Sequence, residues 1–176
     1  MNKILFTITF GLLLIGSQSF GQAFQKGDKI INLGIGLVGL GVNATGEYGI
    51  TENIGVGAFV GYERNSYGYA FSGITGGNYS RSEITVGARG AFHAGELLKL
   101  GDKFDPYVAA GVGVNLYTDP YSSYNSSKGD WVSKSYVLPT FLFRLGARYY
   151  FSPKMGAFGE IGSGGSWVSG GISFKL

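Results

Sequence analysis

A chain of 176 residues is one domain's worth of sequence, but 14% charged residues, against about a quarter in a soluble domain, and 32 glycines leave too little polar side chain to cover a soluble surface. A formal charge of +3 on scattered lysines excludes the basic patch that nucleic acid requires. The sequence has no cysteine and a single histidine, His93, so disulfides, thiolate zinc sites, cysteine nucleophiles and multi-histidine metal sites fall away, and no cofactor is expected.

Residues 1–21 read as a secretory signal. Asn2 and Lys3 make a short basic start, Ile4 to Ile15 is an apolar run too short to span a bilayer, and Ser19 and Gly21 are the small residues ahead of cleavage after Gly21. Residues 22–176 form the mature domain. It contains no hydrophobic helix, so entry into a membrane requires a closed barrel.

After a polar lead, Gln25-Lys26-Gly27-Asp28, the residues Ile31, Leu33, Ile35 and Leu37 alternate with Asn32, Gly34 and Gly36 as a first strand. The second has Val42, Ala44, Tyr48 and Ile50 on one side and Asn43, Thr45, Glu47 and Gly49 on the other. Thr51-Glu52-Asn53 is a tight turn into a third, with Ile54, Val56, Ala58, Val60 and Tyr62 against Gly55, Gly57, Phe59 and Glu63. Arg64 to Arg81 reads as a long polar loop. Strand four sets Ile84, Val86, Ala88 and Phe92 opposite Glu83, Thr85, Arg89 and His93, and the connection Gly95 to Asp105 contains a short helical turn at Glu96-Leu97-Leu98-Lys99-Leu100.

Strand five sets Val108, Ala110, Val112 and Val114 against Tyr107, Ala109, Gly111 and Asn115, and a second long loop runs from Thr118 to about Lys134. Strand six is the clearest. Phe141, Phe143, Leu145, Ala147, Tyr149 and Phe151 are apolar, while Arg144, Gly146, Arg148 and Tyr150 occupy the alternate positions. Pro139, which cannot donate to a ladder, is expected at a bulge or at the rim. Ser152-Pro153-Lys154 turns into a seventh strand with Phe158 and Glu160 on the glycine-rich face. In the last strand Trp167, Ser169, Gly171 and Ser173 are placed on that same face, opposite Val168, Ile172 and Phe174.

The pattern predicts an all-β fold, an eight-stranded antiparallel up-and-down transmembrane β-barrel. Tight turns after strands two and six and long polar loops after strands three and five place the termini on the periplasmic side. The second face of each strand is glycine interleaved with single charges, which suits the crowded interior of a narrow barrel better than a solvated surface. The apolar face then meets lipid. Tyr48, Phe92, Tyr149, Phe151 and Phe174 form one aromatic girdle, with Tyr62 and Phe141 toward the outer ends.

An enclosed guanidinium requires a carboxylate. Glu160 falls between Arg144 and Arg148 on the neighbouring strand and is predicted to pair with one or both, with Glu47 and Arg89 joining a lumen network. The loops carry Tyr67, Tyr69, Tyr79, Tyr121, Tyr124 and Trp131 amid Ser, Gly and Asn, a composition suited to surface contacts with a ligand the sequence does not name.

Gly46-Glu47-Tyr48-Gly49-Ile50, Gly87-Ala88-Arg89, Asp105-Pro106-Tyr107, Gly146-Ala147-Arg148-Tyr149-Tyr150-Phe151 and the terminal Gly171-Ile172-Ser173-Phe174-Lys175-Leu176 resemble the outer-membrane β-barrel domain family of small bacterial porin-like proteins. The resemblance covers essentially the whole mature chain. It implies residence in the bacterial outer membrane, contact with outer-membrane lipid, and folding by the barrel-assembly machinery. The chain departs from the family's terminal aromatic by ending in Leu176, with Phe174 two residues earlier.

Catalysis finds no footing. Gly34, Gly36 and Gly39 match a dinucleotide fingerprint in letters, but the required strand-to-helix context is missing. Glu47 and Glu160 would be held ionised by the nearby arginines rather than act as an acid–base pair. The reading is a non-enzymatic outer-membrane barrel with a side-chain-filled lumen, serving envelope structure or surface contact through its loops. The alternative is a narrow porin-like channel for small solutes.

Overall fold

Eight strands hydrogen-bond antiparallel to their sequence neighbours, and the last returns to the first, closing the sheet in the order β1-β2-β3-β4-β5-β6-β7-β8. They are β1 (Lys29–Gly36), β2 (Leu40–Gly49), β3 (Ile54–Gly68), β4 (Asn78–His93), β5 (Phe104–Asn125), β6 (Asp130–Ser152), β7 (Met155–Ser163) and β8 (Val168–Lys175). The computed structural model describes residues 23–38, 40–68, 78–125 and 130–176, with only the backbone described at 65–68, 78–80, 119–125 and 130–134. The signal segment 1–21 and Tyr69 lie outside the described residues.

The period-2 alternation sorts the wall as expected, with hydrocarbon outward. Phe141 is 76% exposed, Val112 59% and Phe143 54%, whereas Arg148 is 0% exposed at the centre. Closure runs through Ile31↔Phe174, Asn32↔Ser173 and Leu33↔Ile172. On the inner side of that seam Ser173 donates to Asn32 Oδ1 at 2.5 Å, and Asn32 Nδ2 donates to Thr45 Oγ1 at 2.8 Å. These bonds satisfy polar atoms cut off from bulk water.

The start of β1 and the end of β8 lie at one end of the barrel, here the terminal end, with the turns 50–53 and 153–154 and the connection 94–103. At 50–53, Thr51 Oγ1 accepts from Ile54 N at 2.9 Å and Ile50 N donates to Ile54 O at 2.9 Å, a side-chain-pinned tight turn. The stretch around Glu96–Leu100 is a hydrogen-bonded turn rather than a helix. Leu98 N reaches Ala94 O at 2.9 Å, but Lys99 adopts φ 52° and Leu100 N turns back to Gly95 O.

At the opposite, loop end, the two long polar loops are shorter than the sequence pattern indicates. The β3–β4 ladder continues to Gly68↔Asn78 and the β5–β6 ladder to Asn125↔Asp130. Apolar alternation reports burial or lipid contact, and it ends where those end; Tyr, Thr and Ser keep the backbone extended beyond that level. The register shift in this hairpin falls between Asp119 and Ser123, around Pro120. Pro139 pairs in unbroken register with Val114, above the last β6–β7 pair, Phe143↔Ser163, so it marks the rim and not a bulge. Trp167 also differs from expectation. It precedes β8, its carbonyl accepting from Gly162 N at 2.9 Å, and its side chain is exposed instead of enclosed.

Candidate functional site

Because alternate residues of each strand enter a lumen only wide enough for side chains to fill, charges from five strands meet there. Arg148 on β6 donates to Glu47 Oε2 at 3.0 Å and to Asp105 Oδ2 at 3.1 Å, joining β6 to β2 and β5. Arg89 on β4 donates to Glu160 Oε1 on β7 at 2.8 Å and to Glu47 Oε2 at 3.3 Å. His93, four residues further along β4 on the same face, has Nδ1 2.9 Å from Asp105 Oδ1 and Nε2 2.8 Å from Glu47 Oε1. All six side chains are buried. Glu47 is the hub, facing two guanidinium groups and the imidazole; the absence of a side chain at Gly55 makes room for its carboxylate, since a Cβ there would lie 2.7 Å from Oε1.

The structure brings together Glu47, Arg89, Arg148 and Glu160, but with partners different from those expected. Glu160 does lie opposite Gly146, between the heights of Arg144 and Arg148, yet it pairs with Arg89 across the lumen. The reason is Tyr107. Its ring packs against Gly146, where any Cβ would overlap it, and its hydroxyl donates to Glu160 Oε1 at 2.8 Å. Arg148 stacks over the same ring, 4.4 Å from its centroid, so Tyr107 touches both Arg148 and Glu160. His93, Asp105 and Tyr107 were missing from the expected network, although strand parity alone places all three on the inner face.

Arg144 stands apart. Its Nη1 donates to Ser166 O and its Nη2 to Gly164 O at 2.8 Å, both in the β7–β8 connection. That connection folds over the loop end, held by Ser166 Oγ donating to Val38 O at 2.8 Å. Between Arg144 and the Arg89–Glu160 pair lies a cavity of about 30 Å³ lined by Asn43, Thr45, Glu63 and Thr85, room for a water or two and no larger solute.

The terminal end is closed by the segment preceding β1. Phe24 is buried with its ring stacked on His93, centroids 3.5 Å apart and planes within 5°. Asp28 anchors this segment by accepting from Gln25 N at 2.9 Å and pairing with Lys175 Nζ at 2.7 Å, while Gly27 N donates to Gly49 O. Nothing in the polar lead Gln25-Lys26-Gly27-Asp28 foretells that the aromatic before it turns inward.

Outside, Tyr48, Phe92, Tyr149, Phe151, Tyr62 and Phe141 are exposed, as an aromatic girdle requires, and Phe174 is half-buried. The loop residues proposed for surface contact separate into two groups. Tyr67, Tyr79, Tyr121, Tyr124 and Trp131 lie on the strand extensions at the loop end, where only the backbone is described, and Tyr69 is outside the described residues.

A hydrocarbon wall around an ionic, hydrogen-bonded interior, closed by eight antiparallel strands, defines the fold as that of the small transmembrane barrels of the outer-membrane type. It is similar to the N-terminal β-barrel domain of OprF from Pseudomonas aeruginosa, at 16% identity over 86% of this chain and 98% of that one, with a TM-score of 0.54. A de novo designed transmembrane β-barrel is similar at 16% identity, covering 88% of this chain and all of the design, with a TM-score of 0.51. At this identity the likeness is one of fold. No protein-family model and no curated protein matches the sequence.

Proposed function

We propose that the protein is a non-enzymatic integral protein of the bacterial outer membrane, exported by residues 1–21 and folded by the barrel-assembly machinery. Its barrel serves as a rigid membrane anchor for the β3–β4 and β5–β6 hairpins, which face the cell exterior and make surface or envelope contacts. The observation that carries this reading is the inside-out sorting of the wall, with Phe141 and Phe143 outward and Arg148 sealed within. A charge network that crosses the lumen holds opposite walls together, and rigidity of that kind suits an anchor.

One feature weighs against an enzyme. The sole histidine is buried, with both ring nitrogens taken up by carboxylates and one face under Phe24. The narrow-channel reading is disfavoured by the small volume left between Arg144 and the Arg89–Glu160 pair. Two measurements test the proposal. Outer-membrane fractions run with and without boiling should show a heat-modifiable band, and its absence from that fraction would overturn the location. Purified protein in planar bilayers should give no reproducible conductance steps; regular steps would replace the anchor with the channel.

A further inference from the structure

At the loop end of the outer wall, β3 to β6 enclose a trough of about 320 Å³. Its lower part is a register-matched apolar row, Tyr62↔Ile84, Ile84↔Leu116 and Leu116↔Val137, every member exposed. One step further from the membrane middle the row changes chemistry: Ser82↔Thr118 and Thr118↔Ser135 put three hydroxyls side by side, with Thr118 Oγ1 and Ser135 Oγ 3.3 Å apart. The Tyr62 hydroxyl reaches up to within 3.5 Å of Ser82 Oγ. The β3 member of this upper row is Arg64, exposed and directly opposite Ser82.

We propose that this trough binds an anionic phospholipid, an acyl lipid whose headgroup phosphate charge is not compensated by an ammonium. The acyl chain lies on Ile84, Leu116 and Val137, and the headgroup is met by the Ser82, Thr118 and Ser135 hydroxyls and by the charge of Arg64. The occupant follows from three features. The trough is continuous with the lipid-facing band, so a membrane molecule reaches it without leaving the bilayer. Its polar groups stand where the apolar wall stops, at headgroup height. Hydroxyls beside a guanidinium suit a headgroup of net negative charge better than one whose phosphate is already neutralised by its own ammonium. The inference rests on the outer wall meeting lipid, as proposed above.

The test is native mass spectrometry of the full mature barrel in detergent, offered phosphatidylglycerol or phosphatidylcholine with the same acyl chains. One phosphatidylglycerol should be retained, about fivefold over phosphatidylcholine, the scale of one net hydrogen bond. A Ser82→Ala, Thr118→Val, Ser135→Ala variant should fall to the phosphatidylcholine level, and Arg64→Gln should remove the headgroup preference while leaving weak chain-dependent retention. If the triple variant fails to fold, Thr118→Val alone, nearly the same shape, should lower retention by about threefold. Equal retention of the two lipids, or unchanged retention by the folded variants, overturns the site while the barrel assignment stands. Displacement of phosphatidylglycerol by excess inorganic phosphate would assign a free-anion site and overturn the lipid. A protein without heat-modifiable mobility in membrane fractions overturns both readings.

Discussion

The two halves of the lumen solve the same problem differently. Toward the terminal end, Glu47, Arg89, His93, Asp105, Arg148 and Glu160 answer one another with side chains from five strands. Toward the loop end Arg144 is held by backbone carbonyls, and Glu63 and Glu83 stand directly opposite each other in the β3–β4 ladder. The difference follows from what borders each level. Deep in the barrel every neighbour is a paired strand whose backbone groups are already spent on the ladder, so a charge finds only other side chains. Near the loop end β7 and β8 stop short of β3 to β6, and the connection between them bends in and presents unspent carbonyls.

That contrast ranks the consequences of substitution. Arg148→Ala should be the most damaging, because it takes one partner from two buried carboxylates at once and leaves Glu47 and Asp105 with only Arg89 and His93 to answer them; breaking such a buried pair costs about 3–5 kcal/mol, and the midpoint of urea unfolding in detergent should fall accordingly. A double variant, Arg148→Met with Glu47→Leu, should recover part of the loss, and a fully additive loss would contradict coupling between them. Glu160→Ala follows at about 3 kcal/mol, since it leaves Arg89 with Glu47 as its remaining carboxylate. The exposed Glu52→Ala serves as its reference at within about 0.5 kcal/mol, and equal midpoints for the two would dismiss the network.

Arg144→Ala should cost less, about 1–3 kcal/mol, because carbonyls freed at the rim are rehydrated more readily than stranded charges. If it matched Arg148→Ala, the distinction between the halves would fail. Phe24→Ala should cost about 2–3 kcal/mol through the lost burial of the ring and its stack on His93, accompanied by faster hydrogen exchange of the His93 amide, which donates to Asn53 O at 2.8 Å. Unchanged exchange there would show that the segment before β1 does not close the terminal end.

Strand number, strand order and the face assignment of nearly every wall residue were legible because side-chain direction in a strand alternates with every residue, so a period-2 pattern carries its own geometry. Inner-face parity was equally legible for His93, Asp105 and Tyr107. Pairing was not. Glu160 and Arg148 are near neighbours by register, yet the Tyr107 ring seated on Gly146 takes up a contact with each, and no one-dimensional pattern records what fills a gap. The reach of the β3–β6 ladders past the apolar alternation was hidden for a related reason, since hydropathy tracks the surroundings of a strand and not its hydrogen bonds.

Taken alone, the order of residues determined that this chain is a barrel wall with a hydrocarbon side and a charged side, and that the charged side faces in. Only the closed tertiary structure decided which acid meets which base, that Phe24 folds under His93, and that Ser82, Thr118 and Ser135 line up beside Arg64. Those outcomes depend on distances across the lumen and on register between strands far apart in sequence, quantities set by closure of the whole sheet rather than by any local stretch.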